Sequence, residues 1–191
     1  LLRPLIHHLE QASTQWRMQA SPDQTLSEAY RLAVLSLARQ PDIGAMNQMR
    51  EGFPLSATER LLLASAYLTA SLPEGVAPLL KGLELKPLLD PQNRPLQTSV
   101  DYASPLRDRG LALWALGQLE GGGTGSLGAP LAEAVRADIN RPVTLSTQEG
   151  AFALLGLASW HQTLKTTPET WPPLTWMGRT VKPASGVIQA R

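Results

Sequence analysis

Thr147-Gln-Glu-Gly-Ala-Phe-Ala-Leu-Leu-Gly-Leu-Ala-Ser-Trp-His-Gln162 is the stretch whose reading decides the fold. It holds no proline and is rich in Ala, Leu and Gln, all good helix formers. Ser146 stands just before it, and Glu149 follows three residues later. That is a capping box, in which serine and glutamate satisfy each other's free backbone donors at a helix start. Leu, Ala and Gly then fall on nearly every side of the predicted helix, a pattern of helices buried on more than one side.

Three more stretches share this texture: Ala29-Tyr-Arg-Leu-Ala-Val-Leu-Ser-Leu-Ala38, Glu59-Arg-Leu-Leu-Leu-Ala-Ser-Ala-Tyr67 and Arg109-Gly-Leu-Ala-Leu-Trp-Ala-Leu-Gly117. Small residues among the leucines let helix axes approach closely. Recurrence of one helical texture every 30–50 residues or so is what stacked helical hairpins produce. The expectation is therefore an all-α fold of antiparallel hairpins, closed either as an open solenoid or as an α/α toroid. An inner ring of helices wrapped by an outer ring accounts for the all-round apolar character.

Between these stretches the chain is punctuated. A first helix is expected over 1–19. Thr25-Leu26-Ser27-Glu28 and Ser56-Ala57-Thr58-Glu59 read as two further capping boxes, opening helices over 26–39 and 58–69. A short helix is expected over 45–50, and Pro73-Glu74 starts another that ends near Lys81-Gly82. Pro87, Pro91 and Pro95 make 83–103 a long connection. Ser104-Pro105 then caps a helix over 106–119. Gly121-Gly122-Gly123-Thr124-Gly125 reads as a loop, and a helix over 130–139 ends before Arg141-Pro142. The helical domain spans 1–166. Beyond it, 167–191 is a short irregular and β-type tail, a linker with one or two strands, since Pro168, Pro172 and Pro173 exclude a helix and Val181, Val187 and Ile188 are β-branched.

Composition narrows the function. The chain has 191 residues with Lys plus Arg at 17 against Asp plus Glu at 16, and the signs are interspersed. A nucleic-acid binder concentrates its cations on one stripe; the best cluster, Arg107-Asp108-Arg109, carries its own acid. There is no cysteine, so neither a disulfide nor a thiolate nucleophile nor a cysteine-held zinc can form. No apolar run of about 18 residues occurs to cross a bilayer. The chain begins Leu1-Leu2-Arg3, without an initiator Met, as an excised piece of a larger protein or a processed product would.

Two motifs go beyond helical texture. Tyr102-Ala-Ser-Pro-Leu-Arg-Asp-Arg-Gly-Leu-Ala-Leu-Trp-Ala-Leu116 and Leu145-Ser-Thr-Gln-Glu-Gly-Ala-Phe-Ala-Leu-Leu-Gly-Leu-Ala158 lie in this order with one helix between them. The arrangement resembles the second half of the thioester domain, an α/α toroid, of bacterial α2-macroglobulin-like proteins. There a Ser-x-x-Arg-Asp helix precedes a Ser-Thr-Gln-Glu helix. The matching positions are Ser104, Arg107 and Asp108, then Ser146, Thr147, Gln148 and Glu149. Stretches 28–39 and 55–70 also resemble helices of that family, so the resemblance covers 25–165. It implies a domain of a broad-spectrum proteinase inhibitor that traps its attacker after a bait segment elsewhere is cut. It further implies a periplasmic or envelope-associated protein, whose partners are the other domains of the same polypeptide and the trapped proteinases. No cofactor, metal or catalytic residue is expected, and the matched residues are expected to be structural.

Other motif-like strings carry less. The family's thioester joins a Cys sulfur to a Gln side chain, usually within Cys-x-Glu-Gln. His8-Leu9-Glu10-Gln11 mimics that string, but imidazole cannot supply the sulfur, and the position is wrong. Gly123-x-Gly125-x-x-Gly128 fits a dinucleotide fingerprint as letters, yet a helix precedes it where a strand is required. His7 and His8 are neighbours about 100° apart on a helix and cannot share one ion well. His161 near its helix end suits the dipole there. Trp114 and Trp160 read as core aromatics. Two alternatives stay open: a helical-repeat interaction module of another family, or an α/α-toroid enzyme. The second needs paired acids or metal ligands in a cavity, and the acids here are scattered.

Overall fold

The computed structural model describes residues 2–90, 104–119, 127–141, 144–164, 174–176 and 179–181. Helices dominate them, and the fold is all-α. In chain order they are α1 (Leu2–Met18), α2 (Thr25–Leu37), α3 (Ile43–Gly52), α4 (Ala57–Thr69), α5 (Val76–Leu80), α6 (Lys86–Leu89), α7 (Pro105–Leu119), α8 (Gly128–Ile139) and α9 (Thr147–Thr163). Single 3-10 turns, Pro22–Gln24 and Pro73–Gly75, lead into α2 and α5. The strands β1 (Leu174–Trp176) and β2 (Arg179–Val181) pair antiparallel, with Leu174 opposite Val181 and Trp176 opposite Arg179.

The four Leu/Ala-rich helices form one row, α2 against α4, α4 against α7 and α7 against α9. Their N-termini meet side by side: Thr25 bonds to Glu59, Thr58 to the Asp108 carbonyl at 3.4 Å, and Ser104 to Glu149 at 2.5 Å. The row helices therefore run parallel. Each connection must carry the chain back along the row, which is the task of α3, α5 with α6, and α8. The row also curves. Tyr30 of α2 lies edge-on to Trp114 of α7 at 5.8 Å and to Phe152 of α9 at 5.4 Å, so the first and last helices touch one aromatic cluster.

Burial explains the apolar texture in the middle of the row. In α4 every residue of 58–67 except Arg60 is buried, and in α7 every residue of 106–116 except Asp108. These helices are enclosed by neighbours on both flanks. The expectation of all-round burial fails for α9. Ala153, Gly156, Ser159, Trp160 and Thr163 are buried, but Leu154 is 66% exposed and Leu155 38%. The helix ends the row, covered chiefly by α7 and α8, with Tyr30 of α2 touching it at Phe152.

Backbone approach is closest between α7 and α9. A Cβ on Gly156 would stand 2.4 Å from the Gly110 carbonyl oxygen, and one on Gly110 2.5 Å from the Phe152 carbonyl oxygen. The Ser159 hydroxyl completes the contact by donating to the Trp114 carbonyl at 3.1 Å. The first two row helices, α2 and α4, also end alike. Arg39 and Ser71 adopt positive φ of 62° and 61°, each closing a Schellman motif: Gln40 N–H donates to Leu35 O, and Leu72 N–H to Tyr67 O, both at 2.9 Å.

Two local expectations are corrected. Thr25-Leu26-Ser27-Glu28 is not a capping box. The N-cap of α2 is Gln24, which makes no side-chain cap bond, because the preceding 3-10 turn already runs into the helix. Thr25 instead donates to the Pro22 carbonyl and to Glu59, while buried Glu28 accepts from Ser13 at 2.6 Å and pairs with Arg31. The connection 83–103 is not structureless throughout: it contains α6, with Pro87 in the first turn, where its missing N–H costs nothing. Residues 91–103, the glycine-rich 121–125 and the segments 165–173 and 182–191 lie outside the described residues.

Candidate functional site

The motif residues of α7 and α9 converge on one carboxylate. Ser146 caps α9, accepting the Glu149 N–H at 3.2 Å, and its own N–H donates to Glu149 Oε2 at 2.9 Å, so this capping box is complete. The Ser146 hydroxyl also lies 2.8 Å from Oε2. The second oxygen, Oε1, accepts the Ser104 hydroxyl from the start of α7 at 2.5 Å. Two segments 45 residues apart thus share Glu149. The bond from Ser104 and then the backbone donor of Ser146 hold the Glu149 carboxyl below its ordinary pKa, because each favours the charged form.

The Arg107 and Asp108 side chains pair with each other. Arg107 is buried, 3% exposed, and its Nε and Nη2 both reach Asp108 Oδ1 at 2.9 Å. Its backbone N–H is 3.5 Å from the Ser104 hydroxyl, a long capping contact. Thr147 and Gln148 are exposed on the first turn of α9. Of the seven motif residues, Ser104, Ser146 and Glu149 form one hydrogen-bonded group, Arg107 and Asp108 form an ion pair, and the other two face solvent.

The same construction occurs at the first junction of the row, between α2 and α4. Ser56 caps α4, donating its N–H to Glu59 Oε2 at 2.6 Å, and Glu59 Oε1 accepts the Thr25 hydroxyl of α2. In both places the glutamate at the third helical position serves its own helix end and the hydroxyl of the preceding row helix. The arrangement fixes the register of neighbouring helices.

Arginines supply a second repeated device that residue patterns did not reveal. Arg60 of α4 donates to the carbonyls of Leu79 and Lys81 at 2.7 and 2.6 Å, capping α5. Arg109 of α7 donates to Leu88 O at 2.5 Å and Asp90 O at 3.1 Å at the end of α6, and pairs with buried Asp138 of α8. An isolated Arg in an apolar helix is the available signal, since a buried guanidinium must find acceptors for its donors.

Among the described residues no group of three or more His, Asp or Glu could hold a metal ion. His7 lies on exposed α1, 3.0 Å from the Gln11 side chain and 3.6 Å from Glu10. No described helix is long and apolar enough to cross a membrane. Trp114 and Trp160 are buried, as their setting in the helices suggests. Of the dinucleotide-like string, Gly123 and Gly125 lie outside the described residues, and Gly128 opens α8 tightly against the Trp160 ring. Comparison with protein-family models, with curated proteins and with solved structures finds no match.

Proposed function

We propose that this chain is the toroid portion of a bacterial α2-macroglobulin-like proteinase inhibitor, a structural body within a molecule that traps proteinases after bait cleavage. The observation that carries the reading is the Ser104–Glu149 bond: the two motifs on which the resemblance rests meet at their first turns. The parallel, curved row of four helices supports it, because a row that brings Tyr30 against Phe152 bends in the manner of an inner ring. On this reading the exposed edge of α9, with Leu154 and Leu155, meets another helix of the intact polypeptide that closes the toroid. The chain has no cysteine, so a covalent thioester capture would depend on residues outside it. The setting would be the periplasm or cell envelope, and the partners the neighbouring domains and the trapped proteinase.

The test uses the intact polypeptide that contains these residues. After exposure to a broad-specificity proteinase, a trapping protein is cleaved at one segment. The retained proteinase still hydrolyses a small peptide substrate but no longer a large protein. A proteinase that keeps full activity on both substrates sinks the reading and leaves the alternative of a helical-repeat interaction module, which the exposed apolar face of α9 also fits.

A further inference from the structure

We propose that residues 83–90, centred on α6, are a strap that opens from the helical body as a unit, latched by Arg109. Three independent observations meet here. The first is shallow packing. α6 itself has no buried residue; Leu85 just before it belongs to the core, and Leu83, Leu88 and Leu89 pack against that core only half-buried. Segments with few buried apolar contacts are the ones that open locally. Second, a partly open cleft of about 150 Å³ lies between Pro87 and Leu88 of α6, Ala57 and Thr58 of α4, and Pro105 and Asp108 of α7. Its walls forgo the close contacts that the rest of the row enjoys.

The third observation is the latch itself. Arg109 is 3% exposed, and its guanidinium reaches three acceptors on two elements at once: Leu88 O and Asp90 O at the end of α6, and the Asp138 carboxylate of α8. Asp138 is also paired with Arg141, whose side chain is 53% exposed, at 2.8 Å. The C-terminal end of the strap is therefore held by hydrogen bonds from a charged guanidinium. Its N-terminal side has a separate anchor, since Arg60 holds Lys81 O. Opening about Lys81 would swing α6 away and uncover the first turns of α4 and α7, around Thr58 and Asp108, without disturbing the α4–α7 contact.

Native-state amide exchange on the full chain tests this. The amides of Leu88, Leu89 and Asp90, which bond within the strap, should exchange well before those of α4 and α7. Asp138→Asn removes the charge that orients Arg109 and should speed those three amides a further tenfold or so while the α7 interior changes little. Arg109→Lys, which keeps the charge but cannot span three acceptors, should do the same. Leu32→Ala is the control: it opens a cavity in the core at α2, which carries no part of the latch, and should leave the ratio of strap to α7 exchange unchanged. Strap amides that stay as protected as α7, or that loosen in step with α7 in every variant, overturn the proposal.

Discussion

Ser104 of α7 and Glu149 of α9 are joined by a 2.5 Å hydrogen bond, and the same carboxylate closes the capping box of Ser146. The bond makes a pH prediction with a definite sign. Glu149 has its folded pKa lowered, chiefly by Ser104, so the stabilisation is fully present above the unfolded glutamate value of about 4.3. It is lost as pH falls through the lower folded value. Ser104→Ala should cost about 1 kcal/mol at pH 7, and the gap from the parent protein should narrow in acid below about pH 4. Thermal melts of both proteins across that range give the comparison; a gap independent of pH would show that Ser104 does not act through the carboxylate.

Ser146→Ala isolates the other half of the construction. Its hydroxyl accepts the Glu149 N–H at 3.2 Å, and its loss should cost about 0.5–2 kcal/mol. Urea unfolding should show a lower midpoint with an unchanged slope, because the exposed surface stays the same. An unaltered midpoint would mean that water replaces the cap at no cost.

How much of this was legible depended on whether a signal was local. The boxes at Ser56 and Ser146 are contiguous four-residue patterns satisfied within one helix turn, and the structure forms both. Thr25–Glu28 spells the same pattern, yet Pro22 starts a turn that absorbs Thr25 into the helix and frees Glu28 to meet Ser13 on α1. Burial of α4 and α7 followed from their apolar surroundings, whereas the exposed flank of α9 depends on its place at the end of the row. The Ser104–Glu149 and Arg109–Asp138 contacts join residues 45 and 29 positions apart, and no periodicity within either segment pairs them. The Schellman ends at Arg39 and Ser71 do carry a local sign, a proline two residues later in each case, at Pro41 and Pro73.

Those ends are strained, because a non-glycine residue at positive φ brings its Cβ against the backbone. Ser71, with φ of 61°, donates its N–H to Leu68 O at 3.0 Å, a bond that glycine keeps. Ser71→Gly should therefore raise stability by roughly 0.5–1 kcal/mol, the relieved strain exceeding the extra freedom of the unfolded chain. Chemical denaturation measures it directly. A destabilised Ser71→Gly would mean that the serine side chain contributes more than its backbone costs.

Two glycines of α9 should respond oppositely to the same change. Gly156 faces the Gly110 carbonyl, and its added methyl would collide with rigid backbone, so Gly156→Ala should cost about 1–3 kcal/mol by forcing α7 and α9 apart. Gly150 has nothing within 4 Å of its Cβ position, and Gly150→Ala should gain up to about 1 kcal/mol from helix propensity alone. Equal effects of the two in urea melts would mean that the backbone contact between these helices is not as close as described.

The exposed edge of α9 separates the chain by itself from its proposed place in a larger molecule. Leu154 is 66% exposed, so Leu154→Lys removes almost no packing here and should change the stability of this chain by no more than about 0.5 kcal/mol. In the intact polypeptide the same leucine would be buried under the helix that closes the toroid, where a lysine ammonium would lose its hydration without gaining a partner. There Leu154→Lys should lower the melting temperature of the helical domain markedly, and Leu154→Met, which keeps volume and apolarity, should not. Melting the two variants in both contexts provides the measurement. A lysine tolerated equally well in the intact polypeptide would leave this face open to solvent there, and the closed toroid would have to be given up.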